Sequence, residues 1–199
     1  MIKNKRGYVL NFFITLCTLI FWPIIPTFWI ITHKCKNFVK RLKLFVYPLS
    51  FIVYLPQALL IYKLKDLILS ISFPFQRSLN HIGFILFVIG IILHIWTFIL
   101  LGFDNITGKN EILKEKNRLI YNGPFAFIRH PTYFAHTLIF LGLFLFTGFL
   151  ALLILTIIDF LLVVIIIIPL EEKELIDRYG DEYRIYINKV KWKILPYIL

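Results

Sequence analysis

Long runs without charge dominate this chain, divided by short basic segments. Residues 8–32 and 44–62 carry no charged side chain, residues 82–103 none apart from the ambivalent His94, and residues 132–170 only Asp159. A helix needs roughly 20 apolar residues to cross a bilayer core. The first three runs therefore predict one span each. The last is nearly twice as long and predicts two helices meeting near Gly148, a glycine close enough to the midpoint to leave each arm about a span long. The pattern predicts an all-α, polytopic integral membrane protein with five transmembrane helices, the last two an antiparallel hairpin, in a single membrane domain over residues 1–199. Further on, Leu175, Ile176, Tyr179, Tyr183, Tyr186, Ile187 and Val190 recur at three- and four-residue intervals around Gly180. They predict C-terminal amphipathic helices that either lie on the membrane or fold over the preceding loop as a lid.

Composition agrees with lipid as the solvent: 59% of residues are hydrophobic and the mean hydropathy is +0.81. The net charge of +11 is informative through its placement. Of the 22 Lys and Arg, all but Lys3, Lys5, Arg6, Lys63, Lys65 and Arg77 fall on one side of the predicted spans. The positive-inside bias then puts the N-terminus outside, with the loop before the fourth span and the C-terminal tail in the cytoplasm. Lys3, Lys5 and Arg6 run against this and resemble a signal-peptide n-region, although no small-residue cleavage site follows them. Basic residues placed this way suit anionic headgroups and membrane lipids as partners, not nucleic acid. Cys17 within a span and Cys35 in a cytoplasmic loop predict neither a disulfide framework nor a zinc site, and no metal is expected.

The reactive groups gather at one predicted surface. Asn122-Gly123-Pro124 is a turn signal, since glycine permits positive φ and proline fixes the next φ. Pro131 suits the first turn of the helix that follows. The open N–H groups of that turn favour an anionic or electron-rich ligand, with Arg129 and His130 beside them. A structural reading competes, in which Arg129 snorkels to the headgroups and His130 caps the helix. Glu171 and Glu172 end the same long run, so a hairpin would bring them to the Arg-His-Pro start. Two carboxylates, an arginine and a helix start suit a zwitterionic ligand, whereas a solvated acidic cap is the plainer alternative. Within the spans, His94 and Asp159 are expensive in lipid. They predict either a lined cavity or a pair with each other, and Asp159 stands about 18 Å along its helix from Glu171.

Residues 100–199 resemble the membrane methyltransferases typified by isoprenylcysteine carboxyl methyltransferase and phosphatidylethanolamine N-methyltransferase. The resemblance is carried by Asn117-Arg118-Leu119-Ile120, by Gly123-Pro124-Phe125 through Arg129-His130-Pro131-Thr132-Tyr133, by Glu171-Glu172, and by Tyr179-Gly180-Asp181-Glu182-Tyr183 with Tyr186 and Val190. It implies S-adenosyl-L-methionine as methyl donor, bound without a Rossmann unit, of which the chain has no trace. Carried over by position, Asn110, Asn117, Arg118, Leu119, Ile120 and Phe125 would contact the cofactor. His130, Pro131, Thr132, Tyr133, Glu171 and Glu172 would complete its pocket. Residues 82–199 would form this cofactor region, while residues 1–81 lie outside the resemblance and are expected to shape a tunnel for a lipophilic or lipidated substrate.

One departure bears on the acceptor. The carboxyl methyltransferases have an arginine about one turn before the glutamates, implied to hold the substrate carboxylate, where this chain has Ile165 to Ile168. Arg129 is the cation left beside the site and is expected to act there. An arginine restored at Ile167 is expected to improve the use of a prenylcysteine. A protonated amine acceptor would need a base, for which His136 and His130 are the candidates, although His136 also suits a packed polar position in its span. Two other functions compete. A NADPH-dependent sterol reductase resembles Arg-His-Pro-x-Tyr and the ending Lys191-Trp192-Lys193-Ile194-Leu195-Pro196-Tyr197-Ile198, but has more spans and an asparagine at the place of Thr132. A non-catalytic scaffold would use the basic cytoplasmic face to recruit a partner.

Overall fold

The computed structural model describes residues 5–34, 36–107, 109–113 and 118–196. These are almost wholly helical: α1 Lys5–Phe21, α2 Ile24–Lys34, α3 Lys36–Leu42, α4 Val46–Lys63, α5 Lys65–Ile68, α6 Arg77–Leu101, α7 Phe103–Ile106, α8 Lys109–Leu113, α9 Pro131–Thr147, α10 Leu150–Leu162, α11 Ile168–Tyr179 and α12 Asp181–Lys189. Among the described residues the only strand-like pairing is an isolated antiparallel bridge between Ser72 and Phe149. Four helical stretches are long and apolar enough to cross a membrane: Gly7–Thr32, Lys43–Lys63, Arg77–Leu101 and Leu150–Tyr179. The fourth predicted span corresponds to α9, a shorter apolar helix of 17 residues.

The centre of the fold is the pair α6 and α9, which meet through their backbones. A Cβ placed on Gly83 would lie 2.5 Å from the Phe146 nitrogen and 2.7 Å from the Gly142 oxygen, and one on Gly142 would lie 2.5 Å from the Phe87 nitrogen. In lipid, where apolar side chains gain little by associating, such small-residue contacts let two helices dock closely. The register they impose brings His94 of α6 beside His136 of α9, with ring centroids 5.1 Å apart.

The break at Gly148 is where the sequence places it. Gly148 adopts φ +80°, and its N–H caps α9 on the Phe144 carbonyl 2.8 Å away. The segment before α6 clamps the turn: Phe73 N–H donates to the Gly148 oxygen at 2.8 Å and Leu150 N–H to the Ile71 oxygen at 3.1 Å. From Leu150 the chain returns as one long helix, because α10 runs into α11 through a π turn at Val163–Ile167. Pro169 has no N–H to give to the carbonyl four residues earlier, and the widened turn sits where that bond is missing.

One expectation is corrected and one alternative is decided. Asp159 neither pairs with His94 nor lines the cavity that His94 lines; it is buried at 6% exposure and accepts a 2.7 Å hydrogen bond from Trp22 Nε1, so that α10 is tied to the break between α1 and α2. The C-terminal helices do not present their apolar face to lipid. Leu119 of the motif loop packs among Tyr179, Tyr183, Tyr186 and Val190, which makes the tail a cover over that loop. Cys17 is a free thiol, and Cys35 lies outside the described residues.

Gly142→Ala is expected to lower the unfolding temperature in detergent, with an overpacking cost of about 1–3 kcal/mol. Adding Gly83→Ala should cost less than the sum of the two single changes, since the first already moves the helices apart. An unchanged melting curve for both variants would show that these backbones are not in contact.

Candidate active site

The site is assembled by the segment 122–133. Asn122 is extended, Gly123 takes φ +59°, and Pro124 starts a short 3-10 turn over Gly123–Ala126. Tyr186 Oη donates to the Phe125 carbonyl at 2.7 Å, which fastens the turn beneath the tail. Just before proline removes a donor at 131, Arg129 N–H donates to the Trp192 oxygen at 2.9 Å and His130 N–H to the Lys193 oxygen at 2.8 Å. The Arg129 guanidinium extends this clamp, with Nη1 donating to the carbonyls of Val190 at 2.8 Å and Lys191 at 2.9 Å.

The two halves of the sequence motif meet on the far side of this loop. Arg129 Nε donates to Glu172 Oε1 at 2.7 Å. His130 Nε2 lies 3.3 Å from the same Glu172 oxygen and Nδ1 lies 3.5 Å from Glu171 Oε2, while Tyr133 Oη donates to Glu171 Oε2 at 2.9 Å. Arg129 is only 8% exposed and His130 5%. Arg129 therefore does not snorkel, and His130 makes no side-chain cap on α9; both are committed to the carboxylates. Burial alone would depress the His130 pKa, but hydrogen bonds to Glu171 and then Glu172 outweigh it, and the pKa stands above its ordinary value. An arginine and a histidine shifted toward the imidazolium thus compensate two carboxylates in a largely buried cluster. Tyr183, 1% exposed, is held as the neutral phenol by burial and by the charges of Glu172 and Glu171.

Beside the cluster lies a cavity of about 770 Å³, within the roughly 300–1,000 Å³ of small-molecule sites. Its wall joins polar residues of the motif and tail, among them Glu171, Glu174 and Arg178, to apolar residues of α2 and α4, among them Phe28, Trp29 and Phe51. Six buried side-chain polar atoms lack a partner among the described residues. Five of them, Ser50 Oγ, His94 Nδ1, Thr132 Oγ1, Arg178 Nε and Tyr183 Oη, belong to residues that line this cavity. Buried polar atoms without partners are rare in folded proteins, so their convergence on one space marks it for a polar ligand.

Of the residues singled out in the sequence, Arg118, Leu119, Ile120, Phe125, Arg129, His130, Thr132, Tyr133, His136 and Glu171 line the cavity. Pro131 is buried at the helix start, and Glu172 faces Arg129 and His130 away from the wall. Asn117 and the side chain of Asn110 lie outside the described residues. Sequence reasoning missed Ser50, Glu174 and Arg178. Nothing in the pattern marks Ser50, while Glu174 and Arg178 share the i, i+4 spacing of a surface ion pair, which they also form at 3.2 Å. Tyr179 and Tyr183 were legible as an apolar stripe and as part of the family resemblance, not as cavity residues.

The histidine supplies a pH test. Because its native pKa is raised, the stabilisation by His130 is complete below its unfolded pKa near 6.5 and is lost as pH rises through the higher native value. Thermal unfolding of the wild type relative to His130→Gln should therefore show its largest difference in mildly acidic buffer, narrowing toward alkaline pH. A difference that widens with pH would mean that the imidazole is buried neutral.

Comparison with known proteins supports the same reading. The phospholipid methyltransferase family model matches residues 79–182, which takes in α6, the motif loop, α9, the π turn and the glutamate pair. No curated protein and no solved structure matches the chain. The matched region covers more than half of the 199 residues and contains the whole cluster of Arg129, His130, Tyr133, Glu171 and Glu172, and on that ground this membrane protein belongs to the phospholipid methyltransferase family.

Proposed function

We propose that the protein transfers the methyl group of S-adenosyl-L-methionine to a lipophilic acceptor that enters the cavity from the bilayer. The observation that carries this reading is the composition of one wall. The motif and tail line it with carboxylates, donors and aromatic rings, and α2 and α4 with largely apolar side chains, so a charged cofactor and a lipid tail would share one space. The family match does not favour a sterol reductase or a scaffold.

The residues present fit the cofactor. Arg178 Nε, Thr132 Oγ1 and Tyr183 Oη are buried donors without protein acceptors, suited to its carboxylate and other acceptor atoms. Glu171, at the edge of the same space, is suited to its ammonium or ribose hydroxyls. Leu119, Phe125 and Tyr179 offer apolar surface to its base. When bound, this group supplies an electrophilic methyl on a sulfonium. The protein contributes position and dryness: Arg129 and Glu172 hold the loop to the tail, the tail covers the cofactor region, and exclusion of water protects a reactive donor. In this reading α9 also crosses the membrane, as the fourth of five spans, the N-terminus lies outside, and the site opens at the cytoplasmic face, where the basic loops concentrate.

The acceptor follows from what Ile167 does. It is 2% exposed and packs with Tyr133, Val163, Ile168 and Ile194, and none of residues 165–168 lines the cavity. An arginine there would be buried in an apolar cluster, so the gain expected from Ile167→Arg is withdrawn. Arg129, the other candidate, already holds Glu172 and two carbonyls. A carboxylate acceptor such as isoprenylcysteine would then be desolvated without a dedicated cation, which is costly.

Purified protein in detergent should bind S-adenosylhomocysteine in a calorimeter and fail to bind NADPH; saturable NADPH binding without a signal from the adenosyl compound would refute the proposal. Glu171→Gln should weaken that binding by about tenfold to a hundredfold, the loss of a hydrogen bond to a charged group. Glu172→Gln should act mainly on stability, visible as a lowered melting temperature, because its carboxylate faces Arg129 and His130.

A further inference from the structure

Two imidazoles in the cavity are not explained by cofactor binding. His94 projects from α6 and His136 from α9, their rings 5.1 Å apart, and both line the cavity. His94 Nδ1 is buried without a hydrogen-bond partner. Among the described residues only His130 of the histidines is ion-paired with a carboxylate. The pair sits within spans, where an unsatisfied polar group costs more than in water. Apolar side chains would pack the same helix crossing at no such cost. The glycine contacts of Gly83, Gly90 and Gly142 nevertheless hold this register, since a Cβ on Gly90 would lie 2.8 Å from the Ile139 side chain and 3.0 Å from the Ala135 carbonyl.

Resting on the methyl-transfer reading above, we propose that His94 and His136 form a two-helix proton acceptor, so that the methyl acceptor is a nucleophile that carries a proton, an N–H or O–H group, and His94 is a catalytic residue together with His136. The balance is as follows. A C–N or C–O bond forms as the C–S bond breaks, sulfur keeps the electron pair and becomes a neutral thioether, and the proton of the acceptor passes to an imidazole lone pair. A carboxylate acceptor would release no proton and would leave the pair without a task. Tyr133 lies between the pair and the polar cluster under the tail: its ring is 6.2 Å from that of His136, and its hydroxyl donates to Glu171. Ser50 Oγ, 3% exposed and unpartnered on the same wall, is placed to orient the acceptor head.

Three measurements test this. Diethyl pyrocarbonate acylates neutral imidazoles with a free lone pair. Mass spectrometry of adenosylhomocysteine-bound protein should find His94 and His136 modified, and a lipid extract that fills the cavity should protect both. With labelled methyl donor and the same extract in weakly buffered medium, wild-type protein should release one proton per methyl group incorporated. His94→Gln and His136→Gln should each slow turnover at saturating extract at least tenfold, with adenosylhomocysteine affinity and the half-saturating extract concentration within about twofold. The double variant should be little slower than the slower single, as expected of groups that act as a unit. Methyl incorporation without proton release, or turnover of both single variants within twofold of wild type, overturns the proposal, and the proton count needs no variant to fold. If wild-type protein neither binds adenosylhomocysteine nor incorporates methyl groups, the methyl-transfer reading falls and takes this inference with it.

Discussion

The buried pair of Arg129 and Glu172 joins three parts of the chain that are distant in sequence. Its guanidinium reaches a carboxylate on α11 and two carbonyls beyond α12, so the motif loop, the returning helix and the tail are held by one side chain. A buried ion pair is seldom a net source of stability, because desolvation consumes most of the attraction. Its value here is geometric. Removing one partner strands a charge under the tail, at a cost of about 3–5 kcal/mol, so the three elements keep one arrangement, and with it the shape of the cavity.

That arrangement also depends on the phase of a helix. An α-helix turns by about 100° per residue, so one additional residue in a turn re-aims everything beyond it. The π turn at Val163–Ile167 occurs ahead of Pro169 and the glutamate pair. At its end Ile167 and then Ile168 pack against Tyr133, while beyond it Glu171 and Glu172 meet the Arg-His-Pro start. A local loss of one backbone hydrogen bond thus sets which side chains meet the Arg129–His130 cluster and which are buried away from it.

The polar atoms without partners form a second organising feature. Burial penalises them, yet Ser50, His94, Thr132, Arg178 and Tyr183 keep such atoms on one cavity. Asp159 shows the contrast. It is the one acidic residue in its apolar run, and Trp22 satisfies it at a helix contact away from the cavity. The same chemical type of residue is structural in one place and available to a ligand in another, according to whether a neighbour supplies the missing bond.

Much of the fold was legible in the sequence, because lipid imposes simple demands. Uncharged runs of span length must be helices to satisfy their backbones, and a glycine at the midpoint of a double-length run must be the turn, as Gly148 is. The order of Arg129, His130, Pro131, Tyr133 and the glutamates likewise announced a site, and the family to which it belongs. What sequence could not show is which partner each polar group finds. Whether Arg129 reaches headgroups or Glu172, whether Asp159 meets His94 or Trp22, and whether Ile167 faces a cavity or a core depend on helix register and phase. Those are decided by backbone contact at Gly83 and Gly142 and by the π turn before Pro169. Periodicity describes one helix at a time; the site lies between several, and only their packing determines it.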